Sequence, residues 1–180
     1  MLIFPDNTVL INFALVGQVD LFEALVGDNG SWTYTISEEC SKSAQMEGLS
    51  SLTRMHDILG EPLYPSRAER IDMLLIRERL ALPNDPASKH LGEAEAIAIL
   101  SKRELDAIFV TDDGTAKVLA VAEVTIKAIC TADLFRLAVR TGRVSFEVAW
   151  QCLGKLRLLG RGVGGKTRSE LEFRAWCEAI

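Results

Sequence analysis

An α/β fold with a central, mostly parallel sheet flanked by helices is predicted from three observations. Short apolar runs rich in β-branched and aromatic residues alternate with stretches of helical period. Those runs stop abruptly at acidic residues, as in Phe109-Val110-Thr111-Asp112-Asp113, where a strand would hand over to a helix. No stretch of the 180 residues has the length and polarity of a domain linker, and no repeat or low-complexity tract interrupts the pattern.

In chain order, the predicted strands are residues 2–4, 32–35, 107–111 and 125–128, each a brief run of Val, Ile, Leu, Phe, Thr, Trp or Ala. Helical period covers residues 8–16, 19–26, 37–47, 49–59, 67–82, 93–105, 114–121, 131–141, 145–156 and 167–179. Asp113 or Thr111 is placed to cap the helix after the third strand, and Thr131 the helix after the fourth. Residues 60–66 and 82–87 read as loops because Pro and Asn break helical pattern. The helical excursion over residues 37–105 is longer than a minimal crossover and has room for a lid, a dimer surface or one wall of a site. Within it, Ile71, Leu74, Leu75 and Leu82 form a stripe expected to pack inward.

Composition narrows the classes. Apolar content of 48% with 25% charged residues reads as soluble and globular. No apolar run approaches the ~18 residues of a membrane span. The opening Met1-Leu2-Ile3-Phe4-Pro5-Asp6 lacks the regions of a signal peptide, so a cytoplasmic location is expected. Cys40, Cys130, Cys152 and Cys177 are widely spaced and read as small buried hydrophobes. The two histidines, His56 and His90, are expected in ordinary surface or satisfied polar roles. Net charge is −5, but residues 136–180 hold nine Lys/Arg against four Asp/Glu, while the preceding segment holds eleven against twenty-one. An acidic front beside a basic tail suits a phosphodiester substrate. The plainer reading is that Arg136, Arg140 and Arg143 decorate a solvated helix face.

The acids carry the functional argument. Asp6 follows the first strand at a strand-to-helix turn, where capping alone would explain it. Glu38 and Glu39 project about 100° apart on a helix, and Glu93 and Glu95 about 200° apart, so one of each pair faces any given site. Asp112 and Asp113 pose the same choice on a turn. Ligands bind outside the carboxyl ends of parallel strands, so these acids are expected to converge there. Carboxylates crowded together raise one another's pKa unless a cation neutralises them, and hard oxygen donors favour Mg²⁺ or Mn²⁺.

Leu2-Ile3-Phe4-Pro5-Asp6-Asn7-Thr8-Val9-Leu10-Ile11 resembles the opening of PIN-domain nucleases. Gly92-Glu93-Ala94-Glu95-Ala96-Ile97 and Val110-Thr111-Asp112-Asp113 resemble that family's acidic helix and its T-x-D strand end, and Glu39 falls where the family carries a glutamate. The resemblance covers about residues 1–138 and is nearest to toxin ribonucleases of the VapC type. It implies a PIN-like three-layer sandwich over residues 1–141, with residues 142–180 a helical extension packed on the same domain. It further implies a Mg²⁺- or Mn²⁺-dependent endoribonuclease with Asp6, Glu39, Glu95 and Asp113 as catalytic acids. Of these, Asp6, Glu95 and Asp113 would ligate metal, supported by hydrogen bonds from Thr8, Asn12, Thr111 and Asp112. The partners implied are RNA, a cognate antitoxin whose C-terminal segment lies in the acidic groove, and a second copy of the chain. A PIN fold kept as a non-catalytic RNA- or protein-binding module is the alternative.

Gly160-Arg161-Gly162-Val163-Gly164-Gly165-Lys166-Thr167 also satisfies the P-loop expression G-x-x-x-x-G-K-[ST]. A nucleotide-binding phosphohydrolase using that loop is a third candidate. Only thirteen residues follow Thr167, leaving no later strand to supply an acid for Mg²⁺, so a connection between helices is the expected role.

Overall fold

The computed structural model describes residues 1–122 and 126–179. Among them, ten α-helices surround a three-stranded parallel sheet in the order β1-β2-β3, with β1 Leu2–Pro5, β2 Ala107–Val110 and β3 Lys127–Ile129. The α/β class and the helix-flanked parallel sheet are as expected. Leu2 pairs with Ala107 and Pro5 with Val110, and Val110 in turn pairs with Ile129, so all three strands end side by side. The fourth predicted strand begins two residues earlier than β3, at Thr125, which lies outside the described residues.

Residues 32–35 are the exception. Trp32 and Thr33 are buried, with the indole Nε1 donating to Gly60 O at 2.8 Å and an isolated bridge joining Thr33 to Leu63. Helix α3 then starts at Tyr34 and runs to Ser43. The run Trp32-Thr33-Tyr34-Thr35-Ile36 has strand propensity, yet a distant acid overrides it. Glu95 Oε2 accepts from the backbone N–H of Thr35 at 2.7 Å, satisfying one of the amides that a helix start leaves unpaired.

The remaining helices follow the periodic stretches with shifted ends. They are α1 Asn7–Leu15, α2 Val19–Val26, α4 Met55–Leu59, α5 Arg67–Leu80, α6 Leu91–Lys102, α7 Gly114–Ala122, α8 Thr131–Arg140, α9 Phe146–Leu158 and α10 Glu170–Glu178. A 3₁₀ turn, Ser50–Arg54, replaces the first half of the helix predicted over residues 49–59. Cys130, rather than Thr131, caps α8, with the Asp133 carboxylate reaching back to its N–H. One hydrophobic core runs through the molecule, filled by Phe4, Phe13, Phe22, Trp32, Phe109 and Phe135, among others. All four cysteines are buried and unbonded to one another, as their spacing implied. No helix of the described residues is long and apolar enough to cross a membrane.

Two expectations about surfaces change. On α5 the buried positions are Glu69, Ile76 and Leu80, whereas Ile71, Leu74, Leu75 and Leu82 are all more than half exposed. The stripe read as core therefore faces outward, and the helix packs on α6 through the adjacent face. The basic tail, in turn, is largely bound up in tertiary structure. Arg136 donates to the carbonyls of Trp176 and Ala179, Lys155 to Leu15 O, and Arg157 to Thr167 O. Arg157 also covers the Trp150 ring, and Arg174 the Phe146 ring. These contacts, with the Phe146, Trp150, Phe173 and Trp176 cluster, fasten α9 and α10 to α8.

Candidate functional site at the strand ends

The parallel register fixes where the acids lie. Asp6 N donates to Val110 O at 2.8 Å and Thr111 N to Ile129 O at 2.9 Å, extending the ladder one step past each strand. Asp6, Thr111-Asp112-Asp113 and Thr131 thus stand at one edge of the sheet. Asp6 is 3% exposed and caps α1, its Oδ2 accepting from Thr8 N at 3.3 Å. Asp113 caps α7, its Oδ1 accepting from Thr115 N and Ala116 N, both at 2.8 Å. Capping and site geometry are compatible, because each carboxylate keeps lone pairs to spare.

Helices α3 and α6 bring two more acids to this edge. Glu39 is half-buried while its neighbour Glu38 is exposed, which settles the choice within that pair. Gly92 makes room for it: a Cβ there would lie 3.0 Å from Glu39 Oε2 and 3.0 Å from Ile36 Cγ1. On α6 the outcome differs from what the resemblance implies. Glu95 turns away to hold the start of α3, and Glu93, two residues earlier, is the acid that faces Asp6, Glu39 and Asp113. Glu95, the ligand the resemblance implies, therefore has one oxygen engaged by Thr35 N while its charge still acts on Glu39, and Glu93 stands beside Asp113 and His90.

The electrostatics of the cluster are uncompensated. Burial, then the Glu93 charge, pushes the Asp6 carboxyl up to about 7. Glu39 is likewise pushed up to about 7 by burial and by the charges of Asp6 and Glu95, with Lys42 opposing. Glu93 reaches about 7 through burial and the charges of Glu39 and Asp113, against Lys89. Burial is the largest cause in all three, and repulsion between the neighbouring carboxylates adds to it. Oxygen donors of this kind can hold a divalent ion; Glu93 and Asp113 share a close group with His90, and Asp6 and Glu39 are coupled to the cluster through their charges.

The supporting polar residues are placed as follows. Thr8 gives its amide to Asp6, and Thr111 Oγ1 accepts from Asp113 N at 3.1 Å. Asn12, fully buried, donates to Asp112 Oδ2 at 2.8 Å and to Gly162 O at 3.3 Å, while its Oδ1 accepts from Arg161 Nε at 2.8 Å. Asp112 also accepts from Thr131 N at 2.8 Å and from the Thr131 hydroxyl, so three bonds to the fold hold its carboxylate. Asp112 braces the turn, and both it and Asp113 line the cleft at this edge.

Two features of the site were not anticipated. His90 was expected in a satisfied polar role, but its ring is only 8% exposed and its Nδ1 has no hydrogen-bond partner. It lies beside Glu93 and Asp113. The Gly-rich segment forms the opposite rim. Residues 156–158 before it close helix α9, so it is no P-loop, whose glycines follow a strand. Instead Val163 O accepts from Ala132 N at 3.0 Å, and Gly164, at φ +62°, packs so tightly on Cys130 that a Cβ would come within 2.7 Å of its Sγ. Thr8, Lys89, His90, Glu93, Asp113 and Gly162 line the resulting cleft of about 370 Å³. A larger hollow of about 440 Å³ between α5 and α6 lies elsewhere and holds no comparable cluster. No family model, curated protein or solved structure matches this chain.

Proposed function

From a chain without matched relatives, we propose a metal-dependent endoribonuclease that hydrolyses RNA phosphodiester bonds at the strand-end cleft. The observation that carries this reading is the meeting of Asp6, Glu39, Glu93 and Asp113, drawn from four separated segments, at one edge of a parallel sheet with their charge uncompensated. When bound, one or two Mg²⁺ or Mn²⁺ ions supply the Lewis acidity that polarises a phosphate oxygen and activates water. The chain's own residues do the rest. Asp6 and Asp113, fixed by their helix-capping bonds, hold two carboxylates in register with the sheet. Glu93 closes the set from α6, and Glu39 stands where it can accept a proton from attacking water, since its carboxyl binds one near neutral pH. The sequence resemblance of residues 1–138 to PIN-domain nucleases supports the same reading.

A phosphodiester substrate follows from the donor set more than from the basic tail, most of whose cations hold the C-terminal helices together. Within the family resemblance, we further propose the role of a toxin whose activity a small cognate antitoxin masks. An antitoxin side chain carrying positive charge would neutralise the same four acids that a metal does. Self-association is proposed for the same reason.

The test is direct. Purified protein is incubated with single-stranded and structured RNA, with Mg²⁺, with Mn²⁺ and with chelator, beside Asp6→Asn, Glu93→Gln and Asp113→Asn. Cleavage is expected only with metal, and each variant is expected to lose at least ~100-fold, the upper end of what even the orienting partners of metal ligands cost. Equal cleavage by all samples would identify a contaminant and leave the binding-module alternative ahead.

A further inference from the structure

His90 occupies a position that a merely structural histidine does not explain. It precedes α6 in the left-handed conformation, φ 65°, yet its side chain makes no capping hydrogen bond to that helix. For a non-glycine residue this backbone costs of order 1 kcal/mol. What the conformation achieves is to turn the ring into the acidic cleft. There, Nδ1 stands 3.7 Å from Glu93 Oε1 and 3.9 Å from Asp113 Oδ2. Both separations exceed a hydrogen bond, and Nδ1 is buried without a partner. A buried, unpaired ring nitrogen costs free energy unless something else meets it.

The spacing matches donors arranged around an ion. One donor atom from each of His90, Glu93 and Asp113 lies within 4.8 Å of the others. Metal–donor bonds of about 2.1 Å set neighbouring donors roughly 3.0–3.5 Å apart, so side-chain movements of up to about 1 Å complete the site. The far side of the ring is also prepared. Nε2 faces Asp85 Oδ2 at 3.6 Å, and Asp85 is itself held by Lys89 Nζ and Leu82 N. A carboxylate behind the second ring nitrogen is the arrangement that orients a ligating imidazole.

We propose that His90 is a metal ligand through Nδ1, so that the cleft is a mixed nitrogen–oxygen site selecting a first-row transition ion over Mg²⁺. The proposal rests on the preceding reading only in placing a cation among these acids, not in what the cation does. The chemical basis is that an imidazole nitrogen strengthens binding of first-row transition ions, most for the later ones, whereas Mg²⁺ demands hard oxygen and retains its water; Mn²⁺, whose bound state is spectroscopically visible, is the probe.

The test uses full-length protein stripped with chelator and titrated with Mn²⁺ alone. Free Mn²⁺ is followed by electron paramagnetic resonance, and electron spin-echo modulation reports any bound ¹⁴N. The variants are His90→Asn, because asparagine tolerates the left-handed backbone, and His56→Asn, which removes the only other histidine. Wild type and His56→Asn are expected to show imidazole modulation; His90→Asn is expected to lose it and to bind Mn²⁺ at least ~10-fold more weakly, with Mg²⁺ affinity far less changed. Should His90→Asn fail to fold, modulation persisting in His56→Asn assigns the nitrogen to His90. Mn²⁺ bound without nitrogen modulation, or no binding at millimolar ion, overturns the proposal. RNA cleavage by the same samples separates the two readings. Nitrogen-ligated Mn²⁺ without cleavage would remove the nuclease and keep the site, and cleavage without nitrogen would do the reverse.

Discussion

Glu93 and Glu95 show how much a single residue's direction decides. They sit on one helix two positions apart, and one faces the acidic cleft while the other fastens the start of α3. Glu93→Gln is expected to abolish metal-dependent cleavage while leaving the melting temperature unchanged or higher at pH 8, because it removes a charge that repels Glu39 and Asp113. Glu95→Gln keeps a carbonyl oxygen for Thr35 N and is expected to retain cleavage, at a stability cost within about 1 kcal/mol, the scale of a capping bond. Parallel cleavage assays and thermal melts check both. Gly92 makes a second residue-level prediction. In an unobstructed helix Gly→Ala gains up to ~1 kcal/mol. Here the added methyl meets Glu39 Oε2 and Ile36 Cγ1 at 3.0 Å, so Gly92→Ala is expected to lower the melting temperature and weaken Mn²⁺ binding together.

The elements explain which of these residues a reader of the sequence could find. The strands at residues 2–4 and 107–111 were legible because apolar runs cut off by an acid leave a local signature. Asp6 and Asp113 were legible with them, as strand-end residues that also cap the next helix. The start of α3 was not, since Trp32 to Ile36 has strand propensity and the acid that makes it helical lies 60 residues away in sequence. His90 was hidden for a similar reason: a lone histidine in a polar loop signals nothing. The one clue was its place three residues before Glu93 at a helix start, the spacing that lets two side chains meet. The apolar stripe on α5 misled because Leu74 and Leu75 are more conspicuous than the buried Glu69, whose partner is Arg103 at 2.7 Å. Leu74→Ser and Leu75→Ser are each expected to shift stability by no more than ~0.5 kcal/mol, as exposed substitutions do, measured by urea titration. Glu69→Gln should matter more. Arg103 holds the Glu69 carboxyl down to about 2, so its contribution is present above the unfolded value of ~4.3 and is lost as pH falls towards 2. Acid unfolding of Glu69→Gln is expected to be less steep over that window than that of the wild type.

At the scale of the whole molecule, the cleft acids act with the opposite sign. Asp6, Glu39 and Glu93 hold their protons up to about 7 when folded, against ~4 when unfolded. Between those values the folded state keeps protons that the unfolded state has released, so stability falls as pH rises. Cation-free protein is expected to melt at its highest temperature near pH ~4.5 and to lose stability steadily to pH 8. Saturating Mn²⁺ at pH 8 is expected to restore about 2.7 kcal/mol when present at one hundred times its dissociation constant. Calorimetric scans across pH with and without the ion check both halves. A flat profile would mean that the acids do not share one electrostatic site.

The bond between Asn12 and Gly162 joins segments 150 residues apart. During translation, Asp6 and the first turns of α1 leave the ribosome long before the segment that rims their cleft. A nascent chain arrested anywhere before residue 160 would carry its four acids without that border, with Asn12 unbraced by Arg161. The cleft is therefore expected to take its final form only after the Gly-rich segment has emerged and docked on α1.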